Sequence, residues 1–430
     1  MTPGARIATT IQILEKIEQS YLPANRAISS FYRSRRFIGS KDRHEISSKI
    51  YNILRHHARL LWWTNDGSSR LRTIASMALL DGLSEPEILN LFDGIGYAPQ
   101  PLSPSELKLL KKAIDQSIDN PAMPDWVTVE VPKWLFVELK SHWALKLKKE
   151  TAALNQPAPL DLRVNTLKVT FAGALAILKN DGIEAQPTPY SPICLRIENR
   201  VNLSRAAAFK EGFVEIQDEG SQLIALLVDA KADQITIDFC AGGGGKTLAL
   251  AAEIKNEGPI IACEVNTNRL NKMTRRLKRA GASNITLKKL SGLDDPWIEA
   301  SARSASRVLL DVPCSGSGVW RRSPAAKWRL TADELATHLE NQACILTAAA
   351  KLVATGGRLI YATCSVLPKE NEGQIERFLE RNSNFDVFPI SLVWATVFGS
   401  ECPSPDPFLS LTPARQGTDG FFCAVLKRKQ

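Results

Sequence analysis

From about Ala230 onward the chain alternates short apolar segments with longer amphipathic ones, and few folds can accommodate that pattern. The short segments ITIDFC, IIACEV, RVLLDV and GRLIYATC read as buried strands. The longer ones, KTLALAAEIK, RLNKMTRRLKRAG, ADELATHLENQACILTAAAKLVA and NEGQIERFLERN, place apolar residues at three- and four-residue spacing and predict helices. A strand followed by a crossover helix, repeated, builds a mostly parallel sheet covered on both faces. Ligands of such sheets bind at the carboxyl ends of the strands. The unusual residue clusters of this half all fall at those ends, so a site is expected there.

The rest of the chain is organised differently. Residues 1–150 carry helical periodicity, as in ARIATTIQILEKI, RHEISSKIYNILRHHARLLWW and LRTIASMALLDGL; in the turn YAPQPLSPSE, Ser103 or Ser105 offers a helix cap. The Pro-rich NQPAPLDLRVNTLKVT opens a small α/β unit over 151–230, too small to carry chemistry alone. Residues 231–430 hold the strand–helix alternation. The net charge of +9 favours a polyanionic partner. Between Arg26 and Arg59 nine Lys/Arg stand against Asp42 and Glu45, with Arg33, Arg35 and Arg36 near the centre. Between Thr267 and Leu293 eight Lys/Arg stand against no acid. Both stretches are expected to meet a nucleic-acid backbone. Apolar runs are short and broken by charge, as Lys351 breaks ACILTAAAKLVATGG, so no membrane span is expected. The N-terminus lacks the apolar core of a signal peptide, which predicts a cytoplasmic protein. Eight cysteines without a C-x-x-C pair, and five histidines without ligand spacing to them, argue against a disulfide framework and against a metal site.

The stretch DFCAGGGGKTLALAA comes close to a phosphate-binding loop. Gly245, Lys246 and Thr247 supply its second half, but Cys240 stands where G-x-x-x-x-G-K-[ST] requires its first glycine. A glycine-rich turn from strand to helix still lets backbone approach a ligand and offers unpaired N–H groups. At the end of the next strand, Glu264 provides an acid where nucleoside-binding sheets hold ribose hydroxyls. A close-backbone loop plus a ribose-holding acid suits S-adenosylmethionine better than ATP, for which no magnesium-binding partner is evident.

Two further strand ends read LLDVPCSGSGVWRRSPAAKW and LIYATCSVLPKENE. Each puts a cysteine just past a buried strand and follows it with serine: Cys314 in P-C-S and Cys364 in T-C-S. D-x-P-C-S-G-x-G together with Y-x-T-C-S resembles the Nol1/Nop2/Sun family of RNA cytosine-5 methyltransferases. LRVNT, VEIQDEGSQ and DGFFCAVLKR match that family's small domain and the flanks of its catalytic domain, and RRFIGSKDR resembles the NusB-like helical domain of a bacterial member. The resemblance implies an α/β fold: a Rossmann-like S-adenosylmethionine-dependent methyltransferase domain, an N-terminal all-α NusB-like RNA-binding domain and a small α/β linker domain. It implies methylation of carbon 5 of a cytosine in RNA, with small-subunit (16S) ribosomal RNA as the expected partner, no membrane or metal partner, and a monomeric protein.

The chemistry explains why thiols are useful. Carbon 5 of cytosine is a poor nucleophile until a thiolate adds to carbon 6 and turns the ring into an enamine. By resemblance Cys364 is the attacking thiol and Cys314 assists breakdown of the adduct. Asp311 faces the base and the cofactor, and Lys246 and Lys327 are cations able to lower a thiol pKa. The methyl donor is expected against Cys240, Ala241, Gly242, Gly243, Gly244, Gly245 and Lys246, with Glu264, Asp311 and Asp294 completing its site. Three residues depart from the family. The loop lacks the proline of C-A-A-P-G-G-K-T; Ser291 stands where an adenine-contacting acid is usual, with Asp294 nearby; and Ala325 replaces the acid of P-D-x-K. Arg321, Arg322, Lys327 and Arg329 are expected to extend the RNA surface. A non-catalytic or transfer-RNA-directed member would keep the basic stretches, and the former would have no use for both cysteine motifs.

Overall fold

The alternation after Ala230 closes into one mixed sheet. The computed structural model describes residues 1–430 apart from 21, 199, 200 and 406, and it divides them into two units. One unit comprises Met1–Gln156 with Trp320–Leu330, the other Pro157–Val319 with Thr331–Gln430.

The second unit begins with a small antiparallel sheet of β1 (Leu160–Val164), β2 (Gln186–Pro187), β3 (Cys194–Ile197) and β4 (Val214–Ile216), in the order β2-β3-β1-β4. Leu162, Val164, Leu195 and Val214 are buried against Ala174 and Leu178 of the helix Phe171–Asn180, which forms the core of this part. The large sheet follows: β5 (Thr236–Asp238), β6 (Ile260–Glu264), β7 (Ile285–Lys289), β8 (Ala305–Asp311), β9 (Val353–Thr363), β10 (Phe385–Val387), β11 (Leu409–Leu411) and β12 (Phe421–Arg428). Its order is β10-β12-β9-β8-β5-β6-β7, with β11 beside β12. The run from β9 through β8, β5 and β6 to β7 is parallel, whereas β12 pairs antiparallel with β9, β10 and β11. From β5 the chain winds one way to β6 and β7, then crosses back to β8 and β9, so the topological switch point lies between β5 and β8, where open sheets of this type bind ligands. Apolar clusters cover both faces, one around Val308, Leu310, Leu359 and Leu346, the other around Leu309, Ile360, Leu250 and Trp394.

Several elements go beyond the sequence expectation. β7 was hidden inside a basic stretch: its residues are half-buried or exposed, as suits an edge strand, and Lys288 and Lys289 break the apolar signal. The antiparallel β10–β12 close the sheet on its other side and make it mixed. Residues 43–63, which read as one helical run, form two helices, Ser40–Arg55 and His57–Thr64, because His56 leaves helical geometry at φ −100° and ψ 28°.

The first unit is a set of helices around Ile13, Leu14, Ile50, Ile53, Leu60 and Ile74. Ser103 caps the helix Pro104–Ala113: its hydroxyl accepts from the Glu106 amide while the Glu106 carboxylate accepts from the Ser103 amide. The segment Trp320–Leu330 belongs to this unit, with Ala325 in its core. Lys327 is 3% exposed, and its ammonium donates to Asn155 Oδ1 at 3.2 Å. Burial pulls the Lys327 pKa down to about 8, against the attraction of Glu130. Lys327 is therefore a buried cation within the helical unit. Arg329 donates to the carbonyls of Leu22 and Ile17, and Arg321 is buried, so these charges too are engaged in packing rather than displayed as an RNA surface. Among the described residues no helix is long and apolar enough to cross a membrane, and no group of three or more His, Cys, Asp or Glu is arranged to hold a metal ion.

Candidate active site

The turn after β5 takes its shape from its glycines. Gly242 and Gly244 have φ of 57° and 81°, a region where a side chain is strained. A Cβ on Gly244 would also lie 2.6 Å from Met273 Cγ, so the turn packs directly on the helix Thr267–Ala280. Arginines fix the turn from two sides: Arg163 of β1 donates to the Gly245 carbonyl at 2.6 Å, and Arg276 donates to the Gly243 carbonyl at 2.6 Å. Glu215 of β4 accepts in turn from Arg276 at 2.9 Å and from Arg279. Three arginines of the helix expected to contact RNA are thus engaged within the fold, since Arg269 reaches Glu264 at 3.5 Å. Lys272, Arg275 and Lys278 remain exposed there.

Carboxylates gather at the neighbouring strand ends. Asp238, fully inside at 1% exposure, accepts from the Thr247 hydroxyl at 2.7 Å through one oxygen, while its other oxygen is buried without a partner. Burial raises the Asp238 pKa to about 6, with the charges of Asp311 and Glu264 adding to it and the Thr247 hydrogen bond opposing. Glu264, 5% exposed at the end of β6, accepts from the Asn266 amide at 2.8 Å. Across the switch point the Lys246 ammonium donates to Asp311 Oδ2 at 2.6 Å. Burial works against the Lys246 charge, but the adjacent Asp311 carboxylate outweighs it and the Lys246 pKa moves up.

The two cysteines meet. Cys314 Sγ and Cys364 Sγ, on the loops after β8 and β9, lie 3.4 Å apart as free thiols. The hydrogen bond with Cys364 and then burial push the Cys314 thiol well above its ordinary range, and the Glu370 charge adds to the effect. Cys240 is likewise pushed up, first by burial and then by Asp238, Asp311 and Glu264, which leaves it a poor nucleophile.

A polar network holds both cysteine loops. Glu370, with no exposed surface, accepts from the Ser315 amide at 2.8 Å, from the Ser315 hydroxyl and from Gln342 Nε2 at 3.0 Å. Asn371 accepts from the Thr363 hydroxyl at 2.6 Å and donates to the Ser365 carbonyl at 3.0 Å. The Gly318 amide donates to the Cys364 carbonyl at 3.0 Å, and the Ser317 and Ser365 hydroxyls lie 2.8 Å apart. No role was expected of Glu370 and Asn371; their signal was the polar KEN following T-C-S, where a buried strand hands a cysteine to a loop. Glu370→Gln replaces an acceptor by a donor facing other donors, so a loss of roughly 1.5–3 kcal/mol is expected. Thermal unfolding should show it, together with faster labelling of Cys314 by a thiol reagent; unchanged labelling would mean that Glu370 does not hold that loop.

The expected donor-site residues fall into two groups. Cys240 through Lys246, in the turn and first helical turn after β5, and Glu264 and Asp311, the last residues of β6 and β8, all lie at the carboxyl ends of these strands, around the switch point. Gly242, Gly243 and Gly245 keep part of their surface open, and the unpartnered oxygen of Asp238 lies at the base of the same turn. These residues fit a nucleoside with a positively charged centre. Asp294 is exposed, and its neighbour Asp295 takes the buried role: it accepts from the Ser291 amide at 2.8 Å and hydroxyl at 3.0 Å and from the Trp297 amide at 3.0 Å.

Comparison with known proteins agrees with this geometry. Residues 225–427 match the family model described as 16S rRNA methyltransferase RsmB/F, and residues 131–204 match the RsmF/B-like ferredoxin-like domain. The chain is 33% identical over 302 residues to the probable ribosomal RNA small subunit methyltransferase B of Synechocystis sp., covering 69% of this chain and 66% of that protein. It is 34% identical over 300 residues to the ribosomal RNA small subunit methyltransferase B of Salmonella paratyphi B, again 69% of this chain and 66% of the relative. The matched part therefore spans just under two thirds of these relatives' length. The solved structure of PH0851 superposes with a TM-score of 0.79 at 25% identity, over 100% of this chain and 99% of that one.

Proposed function

The chain belongs to the RsmB/F methyltransferase family, and from that premise we propose that it methylates carbon 5 of a cytosine in RNA, with 16S ribosomal RNA as substrate, through a covalent cysteine adduct. The observation that carries the reading is the 3.4 Å approach of Cys314 and Cys364 on the loops after β8 and β9, on the strand end that also bears the Lys246–Asp311 pair. S-adenosylmethionine, held by the Cys240–Lys246 turn, Glu264, Asp311 and Asp294, supplies an electrophilic methyl group. The Cys364 thiolate adds to carbon 6 of the cytosine while Asp311 favours a proton on ring nitrogen 3, so carbon 5 gains enamine character. Once carbon 5 carries the methyl group, its proton leaves to a base, the carbon 6–sulfur bond breaks, and Cys364 recovers the electron pair. Lys246, charged and fixed by Asp311, favours the anionic form of a thiol beside it. A thiol on an enclosed strand-end loop requires the base to leave its stack. The helical unit, with a NusB-like role, supplies affinity for RNA and not chemistry.

The test is transfer of labelled methyl from S-adenosylmethionine to unmodified 16S ribosomal RNA, with bisulfite sequencing to locate the product. Label in 5-methylcytosine at a defined position, with no tight binding of ATP by calorimetry, is the expected result. Absence of transfer to any RNA, or ATP binding as tight as that of the sulfonium, would overturn the reading.

A further inference from the structure

The helical unit contains a pocket of about 390 Å³ lined by Ser29, Tyr32, Arg33, Arg36 and Arg43. We propose that this pocket binds a backbone phosphate of single-stranded RNA and that the adjacent Phe37 stacks on a neighbouring unpaired base. The inference rests on the RNA-modifying function proposed above.

The charge of this region is not one uniform face. Of its cations, Lys49 pairs with Asp81, Arg59 with Asp119 and Glu130, and Arg55 donates to the Arg321 carbonyl. Arg35 lies over the Phe31 ring at 3.9 Å. Arg33 and Arg36 are exposed, and Arg43 joins them from the first turn of the next helix. Among the described residues none of these three forms an ion pair with a carboxylate. The two acids of the stretch are held elsewhere: Asp42 takes the N-terminal ammonium at 3.1 Å and Arg6 at 3.3 Å, and Glu45 takes Arg6 at 3.0 Å. Their negative charge is thereby offset outside the pocket. Arg43 Nε is buried and has no hydrogen-bond partner, so one donor of a lining guanidinium lacks an acceptor. Converging guanidinium groups suit the tetrahedral oxygens of a phosphate, which can take paired N–H donors.

Phe37 makes the pocket specific to single strands. It follows Arg36 directly in the turn between two helices and is 78% exposed, among the most exposed large apolar side chains of the chain. An aromatic face beside a phosphate cradle is the arrangement by which proteins hold unstacked bases without reading sequence. Duplex RNA offers phosphates to the same arginines but no free base face to Phe37.

The experiment titrates the full chain with a fluorescent uridine 12-mer and with a matched RNA duplex over a range of salt concentrations. Arg33→Gln with Arg36→Gln is expected to flatten the log–log salt slope on the 12-mer by about 0.7 for each phosphate that is no longer neutralised. Phe37→Ala is expected to weaken binding of the 12-mer roughly tenfold with the slope unchanged, and to leave duplex binding alone. Arg35→Gln serves as the control and should change the slope little. An unchanged slope in the double variant overturns the phosphate site, and equal weakening on both RNAs in Phe37→Ala overturns the stacking. Methyl transfer by the unmodified chain is measured in parallel. Absence of transfer with the slope effects present would sink the function and leave the pocket standing; transfer with no slope effect would do the reverse.

Discussion

Cys364→Ala is expected to lower methyl transfer by about 10⁴-fold or more and to eliminate any covalent protein–RNA species, while binding of S-adenosylmethionine stays within a few-fold of the unmodified chain. The size follows from what the thiol does. Removing the nucleophile of a covalent mechanism removes the route itself, and the remaining groups can only position reactants. Donor binding should survive because the donor-site turn follows β5 and is held by Arg163, Arg276 and the Thr247–Asp238 bond, none of which involves Cys364. The substitution also removes only one heavy atom from a half-buried position, so the fold should tolerate it. Incubation with labelled donor and RNA, followed by a denaturing gel, reads both quantities. A covalent complex formed by Cys364→Ala would reassign the nucleophile to Cys314, and full activity would remove thiol catalysis from the mechanism.

How far the fold was legible depended on how strongly each element signalled itself. β6, β8 and β9 carry short apolar runs, and β5 sits in the apolar-flanked ITIDFC, because neighbours cover these strands on both sides and both faces. β7 lies at an open edge, where Lys288 and Lys289 are tolerated, and its period vanished into a basic stretch. The residues of β12 were visible as DGFFCAVLKR, but antiparallel pairing to β9 is a long-range fact that local pattern does not encode. His56 broke a helix in which every neighbouring residue is an acceptable helix former, so the break belongs to tertiary packing. For the site, Cys314 and Cys364 could be placed at two strand ends of one sheet, but not at 3.4 Å, because register between β8 and β9 sets that distance.

Charge was the least legible quantity. A count of basic residues predicted three RNA-facing stretches, yet Arg276 and Arg279 serve Glu215, Arg329 serves two backbone carbonyls, and Lys327 is buried beside Asn155. Sequence counts charges; the partners that neutralise them come from other elements. The exposed remainder includes Arg26, Arg33, Arg36 and Lys41 with Lys272, Arg275, Lys278 and Lys289, and these have charge to offer a phosphate backbone.

The roles proposed for the two thiols differ, and Cys314→Ala should reveal the second one. Cys314 lies on the loop whose Ser315 is held by the buried carboxylate of Glu370, and its thiol is pushed well above the ordinary range by Cys364, by burial and by that carboxylate. A thiol kept protonated in this way is suited to donate a hydrogen bond or a proton to a sulfur it touches, and less suited to attack. In Cys314→Ala, Cys364 still adds to carbon 6 and carbon 5 still receives the methyl group, but the adduct lacks the group that assists its breakdown. The expected result is a protein–RNA species that survives denaturing electrophoresis and accumulates to a large fraction of the enzyme. Its formation should require S-adenosylmethionine, and overall turnover should fall by roughly two to four orders of magnitude, the usual range for removal of a proton-transfer group. Cys314→Ser is the companion variant, since a hydroxyl can restore a hydrogen bond to Cys364 and should partly restore release. Normal turnover in Cys314→Ala with no trapped species would leave the 3.4 Å approach of the two sulfurs without a catalytic role.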